Sequence, residues 1–271
     1  MTRPTAANDL TVAVRAVIGL AALGNAVLAA GLVANAGWVL RWWPWETGRL
    51  SHLFLASMLA ALAAGAGWIA ASGEAGSLPA GFLNLTITTA GIAGWLATRV
   101  EGYGATAAVL GILAAVNLLL YLVTSRRWPA PGAARTPALV HGSFAAFGTV
   151  LLVVGVALLV DVTVMPWPVE GETRVVFGWI FLGDAAFFLE GVRHRVWPAS
   201  RAQLWAFLGY DVVLLPPLLL HLREVEGPVL LRLVVYLAVL LFSAVLAIRY
   251  LLLDPATRGW GDAGVARASA R

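Results

Sequence analysis

The chain has no cysteine and no lysine, and only 12% of its 271 residues are charged. Without cysteine there can be no disulfide, no thiolate metal site and no thiol nucleophile. All 18 basic residues are arginine, a bias that matches GC-rich coding and carries no functional message. A soluble domain devotes about a quarter of its residues to charge, so this composition excludes one. Water-facing segments are scarce too: nothing between the apolar runs is longer than residues 126–137, which leaves no room for a soluble catalytic domain. Nucleophile signatures are missing as well, since Ser51, Ser57 and Ser243 sit in no Gly-x-Ser-x-Gly context.

What is abundant is apolar length. The sequence is 61% hydrophobic with a mean hydropathy of +0.86. Apolar runs cover 14–40, 50–72, 79–99, 104–125, 138–164, 174–192, 201–222 and 229–253. A spanning helix needs about 20 residues at roughly 1.5 Å each, and every run meets that length. Barrel strands would be about ten residues long and alternate in polarity; nothing here alternates. The expectation is an all-α integral membrane protein with eight transmembrane helices. Arg3 ahead of the first run imitates a signal peptide, but the run is longer than a signal core and reads as an uncleaved first helix.

Arginine placement orients the spans. The N-terminus, the 73–78, 126–137 and 193–201 segments and the C-terminal tail hold most arginines, among them Arg15, Arg126, Arg127, Arg135, Arg193, Arg195 and Arg258. The opposite ends hold Arg41, Arg49, Arg99, Arg174, Arg223 and Arg232. The positive-inside rule puts the first set, and both termini, in the cytoplasm, in a bacterial plasma membrane. The other face collects Trp38, Trp42, Trp43, Trp45 and Trp167 with Glu46, Glu101, Glu170, Glu172, Glu224 and Glu226. Tryptophans at that depth usually form an interfacial belt. The net charge of +4 follows from topology and requires no nucleic-acid partner.

One element occurs twice. Pro44-Trp45-Glu46 with Arg49 leads into the second run, and Pro166-Trp167 with Glu170, Glu172 and Arg174 leads into the sixth. The arginines lie 125 positions apart, 174 minus 49. Four spans per copy is an even number, so the copies would enter the membrane in the same direction as parallel repeats. The expected organisation is a repeat at 1–125, a cytoplasmic linker at 126–137 with Pro129, Pro131 and Gly132, a second repeat at 138–253 and a tail at 254–271. Proline would stop the preceding helix, tryptophan would anchor at the headgroups, and the acid would sit at a helix N-terminus; an interfacial turn is the plain reading, a ligand-recognition turn the sharper one. This PW…E…R element resembles segments of uncharacterised multi-pass membrane proteins of high-GC bacteria. That resemblance implies a membrane fold and no activity.

Polar residues inside the runs are the functional candidates, because a carboxylate at a helix centre costs about 2.5–3.5 kcal/mol on insertion scales. Asp184 lies ten residues after Arg174, and Asp211 ten after Arg201, so each sits roughly 15 Å into its run, from opposite faces. Consecutive antiparallel helices usually pack as neighbours. Two acids brought together cannot both ionise cheaply and could carry a proton. Tyr210 precedes Asp211, and Pro216-Pro217 is expected to break the helix and free carbonyls beside the site. A buried hydrogen-bonded pair between helices is the structural alternative. On the repeat register Asp211 corresponds to Thr86 and Asp184 to Leu59, and the first half offers Asn84, Thr86, Thr88 and Thr89, a density usual for helix–helix contacts.

His52 and His221 both fall near the outer face and define the one conceivable haem pair. No His-x3-His pair or carboxylate spaced for zinc accompanies them, so no cofactor or metal is expected. The best functional expectation is a small transporter or membrane ligand-binding protein that uses Asp184 and Asp211, with Tyr210 and Thr86 beside them. The alternatives are a non-catalytic accessory or assembly subunit of a larger membrane complex, and an intramembrane lipid or isoprenoid enzyme. Partners would be the bilayer, other membrane subunits or further copies of the chain.

Overall fold

The computed structural model describes residues 10–127 and 134–258. Arg3, the linker residues Pro129, Pro131 and Gly132, and tail residues 259–271 lie outside them. The described residues form α1 (Val12–Val33), a short α2 (Gly37–Leu40), α3 (Arg49–Ser72), α4 (Leu78–Arg99), α5 (Gly104–Thr124), α6 (Ala138–Leu159), α7 (Gly171–Arg193), α8 (Trp197–His221) and α9 (Gly227–Ile248), the last ending in a π-turn, Arg249–Leu253. There is no strand among them, only one β-bridge between Arg135 and Val196. Eight spans of 21 to 27 residues are long and apolar enough to cross a membrane. The protein is an all-α, polytopic membrane protein.

Burial follows lipid rather than water. Val212 is 70% exposed while the neighbouring Asp211 is 1% exposed. Val17, Leu20, Ile112, Val153 and Leu231 also present their side chains outward, where hydrocarbon replaces water as the solvent.

The helix ends fall near the expected ones, with one regular exception. The first and fifth runs stop short, and both stop in the same way. Asn35 (φ 55°) and Asp161 (φ 67°) adopt the left-handed region, which short polar side chains tolerate. The following amides, Ala36 N and Val162 N, then donate to the carbonyls of Gly31 and Ala157. This is the Schellman closure that satisfies carbonyls left over at a helix end.

Arginines finish the capping. Arg15, one turn into α1, donates from Nε to Ala70 O at 2.7 Å and from a terminal nitrogen to Ala71 O at 2.6 Å, at the last turn of α3. Arg49, first in α3, donates to Leu32 O at 2.7 Å and to Val33 O at the last turn of α1. Each helix of the hairpin thus supplies the cation that its partner's negative C-terminus favours. Arg174, near the start of α7, instead pairs with Asp161 just beyond α6.

The helices group into two compact units. One comprises α1, α2, α3, residues 165–168, α8 from Arg201 and α9. In it α1 packs on α3 and α3 on α8, where Gly65 faces Ala202 O and Gly209 lies against Ala60 O. Asp211 and Ser243 join α8 to α9. Pro216 and Pro217 lie inside α8, which continues to His221; the break expected there is a continuous helix. Proline still lacks an N–H, so the carbonyls of Val212 and Val213 lose their helical donors.

The other unit comprises residues 76–164 and 169–200. There α5 packs on α4, α4 on α7, and α7 on α6. Gly155 and Gly178 meet backbone to backbone: a Cβ on either would come within 3.0 or 3.1 Å of the other's carbonyl oxygen. Small residues are what allow such an approach. Gly148 similarly lies under Leu189, whereas Gly24 of α1 meets nothing within 4 Å.

Candidate functional site

In the unit built from α4 to α7, Asp184 stands in mid-span on α7, half-buried. Its Oδ1 accepts a hydrogen bond of 2.7 Å from Asn84 Nδ2 on α4. Thr88, one turn further along α4, donates to Asn84 Oδ1 at 3.1 Å and lies 3.4 Å from Trp179 O on α7. Thr88 thereby holds the Asn84 amide with its nitrogen towards the acid. Gly183 makes the approach possible, since a Cβ there would stand 2.6 Å from Asn84 Oδ1 and 2.8 Å from Asn84 O. Asp184 Oδ2 has no hydrogen-bond partner among the described residues. The result is a carboxylate with one oxygen fixed by a neutral donor and the other available to a proton, a small cation or a ligand N–H.

In the other unit, Asp211 of α8 is used differently. Ser243 Oγ on α9 lies 3.0 Å from Oδ1 and 2.9 Å from Oδ2, and 2.9 Å from Leu240 O. Both residues are fully enclosed. Asp211 thus shares the one hydroxyl proton of Ser243 in an enclosed polar contact between two helices. Tyr210, next to it, hydrogen-bonds through its hydroxyl to Tyr236 of α9 and meets Phe54 edge-on. The two acids fall in different units, each with its own partner. Thr86 turns its hydroxyl back to Phe82 O at 2.7 Å, as Thr89 does to Leu85 O, whereas the side chains of Asn84 and Thr88 make polar contacts with α7.

The two copies of the Pro-Trp element are set differently. Pro166 and Trp167 are buried within the α1–α3–α8–α9 unit. Trp167 Nε1 donates to Ser51 Oγ at 3.2 Å, and the ring lies 6.1 Å from Phe54 and 5.9 Å from Tyr236. Its indole fills core volume instead of facing a headgroup layer. In the first copy Pro44 and Glu46 are exposed, and Trp45 is half-buried, edge-on to Trp43 at 5.2 Å. Glu172 is exposed in the first turn of α7. His221 Nδ1 faces Glu224 at 3.0 Å, and His52 is half-buried near the start of α3.

One buried ionic cluster carried no sequence signal beyond topology. Glu74, just past the end of α3, pairs with Arg201 of α8 and accepts from Trp68 Nε1 at 3.0 Å. The Arg201 guanidinium lies 5.8 Å from the Trp68 ring, which stacks on Trp205 at 5.5 Å. Desolvated charges need such pairing. The cluster locks the C-terminal end of α3 to α8. Comparison with known protein families, curated proteins and solved structures finds no match to this chain.

Proposed function

We propose that this protein is a small membrane transporter or ligand-binding protein whose working carboxylate is Asp184, set in a bacterial plasma membrane with both termini cytoplasmic. The observation that carries the reading is the open Oδ2 of Asp184 in mid-span, opposite an Oδ1 held by Asn84. An intramembrane acid is costly and marks a proton, ion or substrate path by default. Asp211, whose oxygens both lie against Ser243, serves as a helix contact in this scheme.

Support comes from the helix order within the units. Their contacts run α1–α3–α8–α9 and α6–α7–α4–α5, the order in which two parallel repeats would each lend a hairpin to either unit. On that register, with its offset of 125, Asn84 matches Gly209 and Asp184 matches Leu59. Gly209 lies directly on Ala60, so at this level the corresponding crossing is closed by small residues.

The test is proton or sodium movement in proteoliposomes, followed with a pH-sensitive dye under an imposed gradient. Dissipation of the gradient should depend on Asp184 and be lost in Asp184→Asn, while Asp211→Asn keeps it. A wild type without flux, or flux indifferent to Asp184→Asn, would hand the case to the accessory-subunit reading.

A further inference from the structure

A cavity of about 660 Å³ opens at the arginine-rich end of the α4–α7 unit, lined by Arg135, His141, Arg193, His194 and Arg195. Backbone pairing builds it. Thr136 N donates to Arg195 O at 3.0 Å and Trp197 N to Ala134 O at 2.7 Å. These bonds stitch the segment before α6 to the turn after α7 and bring Arg135 and Arg195 to one mouth. Arg195 holds a positive φ of 21° in that turn.

The charge there is unbalanced. Glu190 is the acid beside the cavity, and it is already shared: its Oε1 lies 2.9 Å from His194 Nε2 and its Oε2 3.6 Å from Arg193. Arg193 also donates to Tyr121 Oη at 3.4 Å. Arg135 and Arg195 make no side-chain hydrogen bond or ion pair among the described residues. The sequence around them is equally bare: residues 125–141 and 191–202 contain no acid. Two exposed arginines that backbone bonds bring to one cavity, with no ion pair among the described residues, form a basic site for an anion. Their planar forks of N–H donors match phosphate oxygens two at a time.

We infer that this cavity binds a phosphate group through Arg135 and Arg195, with Arg193 behind them. The phosphate could belong to an anionic lipid headgroup, which basic pockets between helices at that end of a membrane protein accept, or to a free phosphate. The inference is independent of Asp184.

Native mass spectrometry of the full-length protein released from detergent micelles, with phosphatidylglycerol titrated in, reads the site directly. Each arginine near a headgroup contributes about a fivefold gain in affinity, so Arg135→Gln with Arg195→Gln should weaken phosphatidylglycerol binding about 25-fold. Arg126→Gln with Arg127→Gln removes equal charge from the end of α5, outside the cavity, and should change binding less than twofold. Unaltered thermal unfolding of both variants shows that the fold is retained. Inorganic phosphate that displaces the lipid from the wild type identifies the phosphate group alone as the ligand; retention of the lipid against phosphate identifies the whole headgroup with its chains. Equal losses in the two double variants, or none in either, would overturn the assignment.

Discussion

Asn84 and Asp184, one hundred residues apart, are joined across α4 and α7 by a hydrogen bond of 2.7 Å from Nδ2 to Oδ1. It is the only polar contact of that carboxyl group among the described residues. Asn84→Ala should therefore lower stability in detergent by about 1–3 kcal/mol, the usual result of stranding a half-buried polar group. Asp184→Asn keeps an acceptor for Asn84 and should stay within about 1 kcal/mol of wild type. Thermal unfolding of the purified variants separates the two. Equal stability of all three proteins would mean that the contact is not formed in solution.

The Asp211–Ser243 contact makes a different demand. Ser243→Ala removes the only side-chain partner that an enclosed carboxyl group has among the described residues, and should cost about 1–3 kcal/mol. Adding Asp211→Leu removes the stranded group as well, and the double variant should be more stable than Ser243→Ala alone. A double variant that loses the sum of the two single changes would show that the residues do not interact.

The hairpin of α1 and α3 is held at each end by one arginine. Arg15→Gln frees the carbonyls of Ala70 and Ala71, and Arg49→Gln those of Leu32 and Val33. Each should cost about 0.3–1 kcal/mol, as cations at helix C-termini do. Because the sites lie at opposite ends of the hairpin, the double variant should be additive within about 0.5 kcal/mol. Strong non-additivity in denaturation midpoints would point to a concerted opening of the pair.

Two glycines make a matched comparison. Gly183→Ala drives a methyl group into Asn84 and Thr88 and should cost about 1–3 kcal/mol through overpacking. It should also disturb any function that depends on Asp184. Gly24→Ala enters open space on α1 and should change stability by no more than about 0.5 kcal/mol. Similar unfolding temperatures for the two variants would contradict the close α4–α7 approach.

Much of this protein was legible from composition and spacing. Run length alone locates the spans, because backbone polar groups in hydrocarbon must be satisfied within a helix and a helix needs about 20 residues to cross. Predicted and observed ends agree within a few residues except at Asn35 and Asp161, where a left-handed residue closes the helix early. The mid-span depth of Asp184 and Asp211 was legible too, as was the position of Arg49 and Arg174 where their helices begin.

Partner choice was decided only by the tertiary structure. Residue spacing places a side chain at a depth and on a face of its own helix, but does not say which helix stands opposite. Consecutive helices α7 and α8 made Asp184 and Asp211 reasonable partners for one another, yet Asp184 meets Asn84 of α4 and Asp211 meets Ser243 of α9. The same holds for Trp167, an interfacial residue by its position in the chain and a core residue by its contacts with Ser51 and Phe54. Apolar helices in lipid gain little from burying one face over another, so close contacts at Gly155, Gly178 and Gly183, and the few polar groups beside them, select the pairing. The bilayer requirement written in the sequence determined eight helices; the fit of small residues against neighbouring backbones determined which of them face Asp184.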